Sequence, residues 1–272
     1  MPDQALITWI ASFPRSGNTW LRALITAYAN GGEVDINNIM QTGDKEPMYY
    51  AGIINAPINT WSLSDQAMLK PAAMKRMLEH AGANLLLKTN DCNSEFAGVE
   101  QIPPHLSRAA IYIVRDPRDV ALSFLNHYDM PSMDETLDHM LNDETLTRFP
   151  DKGLFVPQRS WQMHTASWLD KKPYPVHILR YEDLLAKPFK EYSKVVRILK
   201  LDFDAKLAKK SIEACEFSRL QKAEQKKGFK EGVGQTFFHK GQANRWETEL
   251  SQAHQARIVK ACSAQMKAFD YL

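Results

Sequence analysis

Cysteine is scarce in this chain, and the scarcity is informative. Of 272 residues only three are cysteines, Cys92, Cys215 and Cys262, widely separated and without a CxxC pair. That excludes a disulfide framework and a thiolate zinc site, and it fits a reducing compartment. An excess of one charge is missing too. Lys+Arg number 34 and Asp+Glu 32, leaving +2, so no global field draws nucleic acid or an anionic membrane and any anion site must be local. No apolar stretch is long enough to span a bilayer, and MPDQALITWIASFPRSG carries no basic leader, so neither a signal peptide nor membrane insertion is expected. Repeats and low-complexity tracts are absent, which removes solenoids and linkers. What remains is an ordinary globular balance of 44% hydrophobic and 24% charged residues. The expectation is one cytoplasmic domain over residues 1–272, long enough to bury a substantial core.

Four short apolar runs stand out: Ala5 to Phe13, Asn84 to Leu87, Ala110 to Val114 and, more weakly, Val176 to Leu179. Continuous rather than alternating apolar character suits strands covered on both faces. Between them, Asn18 to Asn30, Met68 to Ala81, Arg118 to Tyr128, Gln158 to Lys171 and Phe189 to Leu201 show helical spacing. A short helix is expected around Glu135 to Asn142 and a closing one over Glu249 to Phe269. The alternation predicts an α/β fold with a central, mainly parallel sheet flanked by helices. Residues 31–63, 130–153 and 222–246 lack a strong period and read as loops covering a site.

Each strand ends in polar residues: Arg15 and Ser16 after the first, Lys88 to Asn90 after the second, Arg115 after the third, Arg180 after the fourth. Ligands of open parallel sheets bind beyond those carboxyl ends. In SFPRSGNTW, Gly17 permits close backbone approach, and the helix that follows offers unpaired N–H groups to an anion. Arg15, Ser16, Asn18 and Thr19 add side-chain groups to this P-loop-like cradle. It is not the nucleotide P-loop, because Ser12 and Asn18 stand where that motif has Gly and Lys. The plainer reading is a strand–turn–helix corner capped by Ser16. In YIVRDPRDVALS, Arg115 leaves a strand and Ser123 lies two turns along the next helix, so both can meet one phosphate. An Arg118–Asp119 pair reads as a helix cap. HKG, at His239, Lys240 and Gly241, sets a cation beside a flexible backbone.

Taken together these segments resemble the sulfotransferase family that uses 3'-phosphoadenosine 5'-phosphosulfate (PAPS). SFPRSGNTWL is similar to that family's 5'-phosphosulfate loop, with Arg15 where its cytosolic members usually carry Lys. YIVRDPRDVALSF resembles the 3'-phosphate segment, and HKGQANRW the C-terminal RKGxxGDW motif. RYEDL and FSRL resemble the adenosine-contacting segments. The resemblance implies that Tyr181, Ser218 and Trp20 meet the nucleoside, Trp20 as a stacking surface. It also implies that Lys88 reaches the transferring or leaving oxygens. The implied reaction moves a sulfuryl group to a hydroxyl or amine of a small-molecule or glycan acceptor, in line and without a metal. The product is 3'-phosphoadenosine 5'-phosphate (PAP). A homodimer is compatible with it.

The family usually places a His two residues after this Lys, and here Asn90 stands there. An amide has no useful basicity, so the proton acceptor is open between Asp91, Glu33 and His127, with Asn90 left to orient the acceptor. His80, His105, His139, His164 and His254 read as surface or helix-end residues. Two other functions fit the same residues: a non-catalytic PAP or PAPS binder, and a P-loop-like nucleotide kinase.

Overall fold

The computed structural model of the chain describes residues 5–40, 43–149, 153–232, 236–238 and 241–272. All four apolar runs are strands. β1 (Ile7–Ser12), β2 (Leu85–Thr89), β3 (Ser107–Val114) and β4 (Val176–Arg180) form one sheet in the order β2-β1-β3-β4. β1 and β2 run parallel, with Ile7 opposite Leu85 and Ala11 opposite Thr89. Every residue of β1 is buried, as a strand covered on both faces requires. Helices alternate with the strands: α1 (Asn18–Ala29), α2 (Leu63–Ala81), α3 (Pro117–His127), α4 (Met133–Met140), α5 (Trp161–Leu169), α6 (Tyr181–Ala186), α7 (Pro188–Ile198), α8 (Ala205–Ala214), α9 (Phe217–Lys227) and α10 (Gln252–Ala268). The architecture is α/β with a mainly parallel central sheet. No described helix is long and apolar enough to cross a membrane.

The chain forms two compact units: residues 1–13, 42–112 and 139–178 in the first, 14–41, 113–138 and 179–272 in the second. The division falls near the ends of β1, β3 and β4, so the residues after those strands count with the second unit. The first unit is centred on large aromatics. Trp9 is fully buried and its indole N–H donates to Ser107 Oγ at 2.8 Å, while Tyr112 stacks on Trp168 with ring centroids 5.5 Å apart. His164, expected at a surface or helix end, lies in this core instead. Its Nδ1 is 3.0 Å from the Tyr112 hydroxyl, and Phe13 meets its ring edge-on. α2 begins at Leu63 rather than Met68, because Ser62 and Asp65 make a capping box: Ser62 Oγ accepts from the Asp65 amide at 3.1 Å and Asp65 accepts from the Ser62 amide at 2.9 Å. That signal overrides the weak apolar period of its first turn.

In the second unit, α1 and α7 share a core of Leu24, Tyr192, Val195 and Val196, and the Tyr192 hydroxyl donates to Leu24 O at 2.7 Å. α8 is an addition to the expected helices. Asp204 caps it by accepting from Lys206 N and Leu207 N at 2.7 and 3.1 Å. α9 claims residues up to Lys227, so the irregular stretch starts later than expected.

Candidate functional site

After β1 the second unit begins with a tight turn. Arg15 has φ 68° and Gly17 φ 105°, left-handed conformations that aim successive N–H groups to one side. A Cβ on Gly17 would lie 2.7 Å from the Tyr181 ring, so both the backbone angle and the space demand glycine. Gly17 is the N-cap of α1, no side chain caps that helix, and its first turn holds no acidic residue. The corner reading with Ser16 as cap is therefore corrected. The Ser16 hydroxyl is buried and has no hydrogen-bond partner among the described residues. Uncapped amides, a helix dipole and a spare hydroxyl together make an anion cradle.

Arg115 and Ser123 meet Arg15 here. Arg15 Nε donates to Ser123 Oγ at 3.1 Å, and its guanidinium lies 4.3 Å over the Phe237 ring. Arg115 donates to Arg15 O at 3.3 Å and to Gln242 O at 3.0 Å, and sits 4.5 Å over the Tyr181 ring. Its Nε has no partner among the described residues. A carboxylate beside Arg115, Asp119, is 3.9 Å away and accepts from the amides of Asn244 and Trp246 at 2.7 and 3.1 Å. Arg118 pairs with Asp116 at 2.6 Å rather than with Asp119. Burial lowers the Arg15 guanidinium to about 10, and the like charge of Arg115 pushes the same way. Positive charge is thus concentrated where an anion would relieve it.

Trp20 stands edge-on to Tyr181, centroids 5.7 Å apart, and its indole N–H donates to Cys215 O at 3.0 Å. The Asn18 and Thr19 side chains are tied to a residue sequence reasoning missed. Fully buried Arg22 donates to Asn18 Oδ1 at 3.0 Å and to Thr19 Oγ1 at 3.1 Å, and it grips Glu231 at 2.6 Å. Its position three and four residues along α1 was the available signal. Glu224 and Phe237 were missed as well. Glu224 accepts from the amides of Phe237 and Phe238 at 2.6 and 2.9 Å, and so fixes the ring beneath Arg15. Gly241 has φ 59°, and a Cβ there would meet the Phe217 ring at 2.3 Å. Ser218 is exposed on α9, apart from the hydrogen bonds that join the other candidates. His239 and Lys240 lie outside the described residues.

Lys88, Asn90 and Asp91 belong to the first unit. Lys88 is half-buried on β2, and its carbonyl accepts from Asp44 N at 3.2 Å. Asn90 Nδ2 donates to Ser12 O at 2.7 Å, which ties the end of β2 to the end of β1. Asp91 is fully buried, with Lys45 at 2.9 Å and Lys70 in a closer contact on the same oxygen. Lys70 also pairs with Asp44 at 2.6 Å, and Asp44 accepts from Thr89 Oγ1 at 2.8 Å. Burial would push the Asp44 carboxyl up, but Lys70 and Lys45 outweigh it and hold it below its ordinary range. Burial would likewise lower Lys45, but Asp91 and Asp44 outweigh it and raise it. Asp91 as a proton acceptor does not fit this placement, since two ammonium groups already hold its carboxylate. Glu33 fares no better, with a side chain 83% exposed beside Lys210. A narrow pocket also lies within this unit, lined by Lys45, Tyr50, Gln66, Phe96, Gln101 and Phe155 among others. Among the described residues no three His, Cys, Asp or Glu side chains are grouped to hold a metal ion.

An uncapped helix start, two converging arginines and a ring pair lie together on an α/β fold. The family model for the sulfotransferase domain matches residues 7–270 and runs through both units. The chain is 27% identical over 224 residues to sulfotransferase 1B1 of Canis lupus familiaris, covering 81% of this chain and 67% of that one. It is 27% identical over 202 residues to sulfotransferase 1A1 of Rattus norvegicus, covering 73% and 60%. Against a solved retinol dehydratase in complex with androsterone and inactive cofactor PAP, the TM-score is 0.64 at 19% identity, over 98% of this chain and 82% of that one. That last likeness shows the fold. The chain belongs to the sulfotransferase family, whose members are enzymes that carry a sulfuryl group from PAPS to an acceptor.

Proposed function

We propose that this chain transfers the sulfuryl group of PAPS to a hydroxyl, or an amine, of a small-molecule or glycan acceptor. The observation that carries it is the convergence of Arg15, Arg115 and Ser123 beside an uncapped helix start. In this reading the amides of Ser16 to Thr19 and the Arg15 guanidinium meet the 5'-phosphosulfate. Arg115 and Ser123 take the 3'-phosphate, Trp20 and Tyr181 flank the adenine, and His239, Lys240 and Gly241 are assigned to nucleotide binding. Ser218 completes the nucleoside end.

Transfer is an in-line displacement in which the protein positions the partners and stabilises charge. The acceptor oxygen bonds to sulfur as the bond to the bridging oxygen breaks, and that oxygen leaves with the electron pair as part of PAP. Donors aimed at the bridging oxygen lower the barrier because negative charge grows there. Arg15 has that role in the second unit, and Lys88 has it by resemblance. Asn90 orients the acceptor hydroxyl. Loops 31–63 and 130–153 select it. A cytoplasmic site of action and a homodimer complete the proposal.

A second reading, a PAP binder without turnover, draws on the engagement of Asn90 and Asp91 in structural contacts. Calorimetric titration with PAP, with ATP–Mg²⁺ as control, tests both. PAP binding without ATP binding is the expected result, and release of PAP from PAPS then separates enzyme from binder. Absence of PAP binding sinks both readings.

A further inference from the structure

In the first unit Asn90 has no basicity, two lysines hold one oxygen of Asp91 while its Oδ1 is buried without a partner among the described residues, and His164 is packed in the core with its Nδ1 against the Tyr112 hydroxyl. His127 has a different setting. It closes α3 four residues after Ser123, and residues so spaced share a helix face. Ser123 holds Arg15 Nε, Arg15 lies over Phe237, and the Phe237 ring meets the His127 ring edge-on at 5.4 Å. Four side chains, Ser123, Arg15, Phe237 and His127, are therefore linked contact by contact. His127 is 8% exposed, and its Nδ1 is buried with no hydrogen-bond partner among the described residues. A buried imidazole nitrogen in that condition has lost its water and gained nothing in return.

We propose that His127 is the proton acceptor of the transfer, a role that rests on the PAPS reading above. An acceptor hydroxyl supplies the hydrogen bond that Nδ1 lacks. As its oxygen bonds to sulfur and the bridging oxygen departs with its electron pair, the proton passes from the hydroxyl to Nδ1. The residue is in the accepting form at neutral pH, because burial and the charge of Arg15 lower it to about 4. The charged and titratable groups around it are Arg15 from the turn, Tyr128 beside it, and Glu224 of α9, which acts on Arg15. An anionic nucleotide on Arg15 offsets the positive charge, so binding of the donor makes His127 more basic just before it is needed.

The test compares the wild type with His127→Phe, which keeps an aromatic ring against Phe237, and His127→Gln. Calorimetry with PAP reports the nucleotide site, and release of PAP from PAPS, with water or 4-nitrophenol as acceptor, reports turnover. Both variants are expected to keep PAP affinity within about threefold and to lose about 100-fold in PAP release. In the wild type, ring NMR of labelled histidine should show the His127 titration moving up by about one pH unit or more on adding PAP. Wild-type turnover in His127→Phe overturns the proposal. So does a ring titration that PAP leaves unmoved, and this arm decides alone if neither acceptor is used. Failure of PAP to bind the wild type overturns the underlying PAPS reading, and this inference with it.

Discussion

Two groups of buried charge in this molecule have opposite designs. In the first unit, Asp44, Lys45, Lys70 and Asp91 neutralise one another, two anions against two cations. In the second, Arg15 and Arg115 stand beside each other, with Asp119 3.9 Å from Arg115 and engaged by backbone amides, and Glu224, which acts on Arg15, engaged by the amides of Phe237 and Phe238. A charge cluster that closes on itself holds structure together. One short of a balancing anion is where we place the nucleotide. The difference explains why Asp91, attractive in the sequence as the carboxylate nearest Lys88, is poorly placed to accept a proton.

The largest expected effect comes from breaking the first cluster. Lys70→Met leaves Asp44 and Asp91 short of a buried partner and should cost about 3–5 kcal/mol of stability. Urea denaturation measures it, and the protein that stays folded should bind PAP normally. A loss below about 1 kcal/mol would mean that water or a rearrangement readily replaces the lysine, and the contrast with the second cluster would collapse. Breaking the second cluster should do the reverse. Arg115→Ala should weaken PAP by roughly 10–100-fold, as loss of a charge-assisted bond predicts, and leave adenosine 5'-phosphate within about threefold. Equal losses for both ligands would take Arg115 off the 3'-phosphate.

A smaller effect distinguishes the units by pH. Burial lowers His164 in the first unit to about 3, and burial with Arg15 lowers His127 in the second to about 4. The unfolded chain binds these protons near pH 6.5. Between those limits it holds more protons than the folded chain, so stability rises with pH. The contribution is complete above about pH 6.5 and is lost as pH falls toward 4 and then 3. Thermal unfolding at pH 7, 5.5 and 4.5 should show the decline. His164→Gln should flatten it, and PAP should alter only the part that belongs to His127. An unchanged slope in the variant would remove His164 from the account.

The α/β class was legible because strands buried on both faces leave unbroken apolar runs, and the anion cradle because a turn that needs Gly17 must write a glycine into the chain. Arg15, Arg115 and Ser123 could be named from their places after strands and along a helix. The start of α2 and the existence of α8 were carried by Ser62 and Asp204, caps that apolar spacing does not register. Arg22, Glu224, Glu231 and Phe237 were beyond reach for another reason. Their roles come from partners as far as 222 positions away, as in the meeting of Arg15 with Phe237, and no local pattern records such a meeting. The burial of His164 and the neutralisation of Asp91 are of the same kind. Sequence by itself determined which residue types stand at the strand ends, because that is a matter of order along the chain. Only the tertiary structure decided which charges cancel, because Coulomb interaction and desolvation depend on distance and burial, and neither is a property of order along the chain.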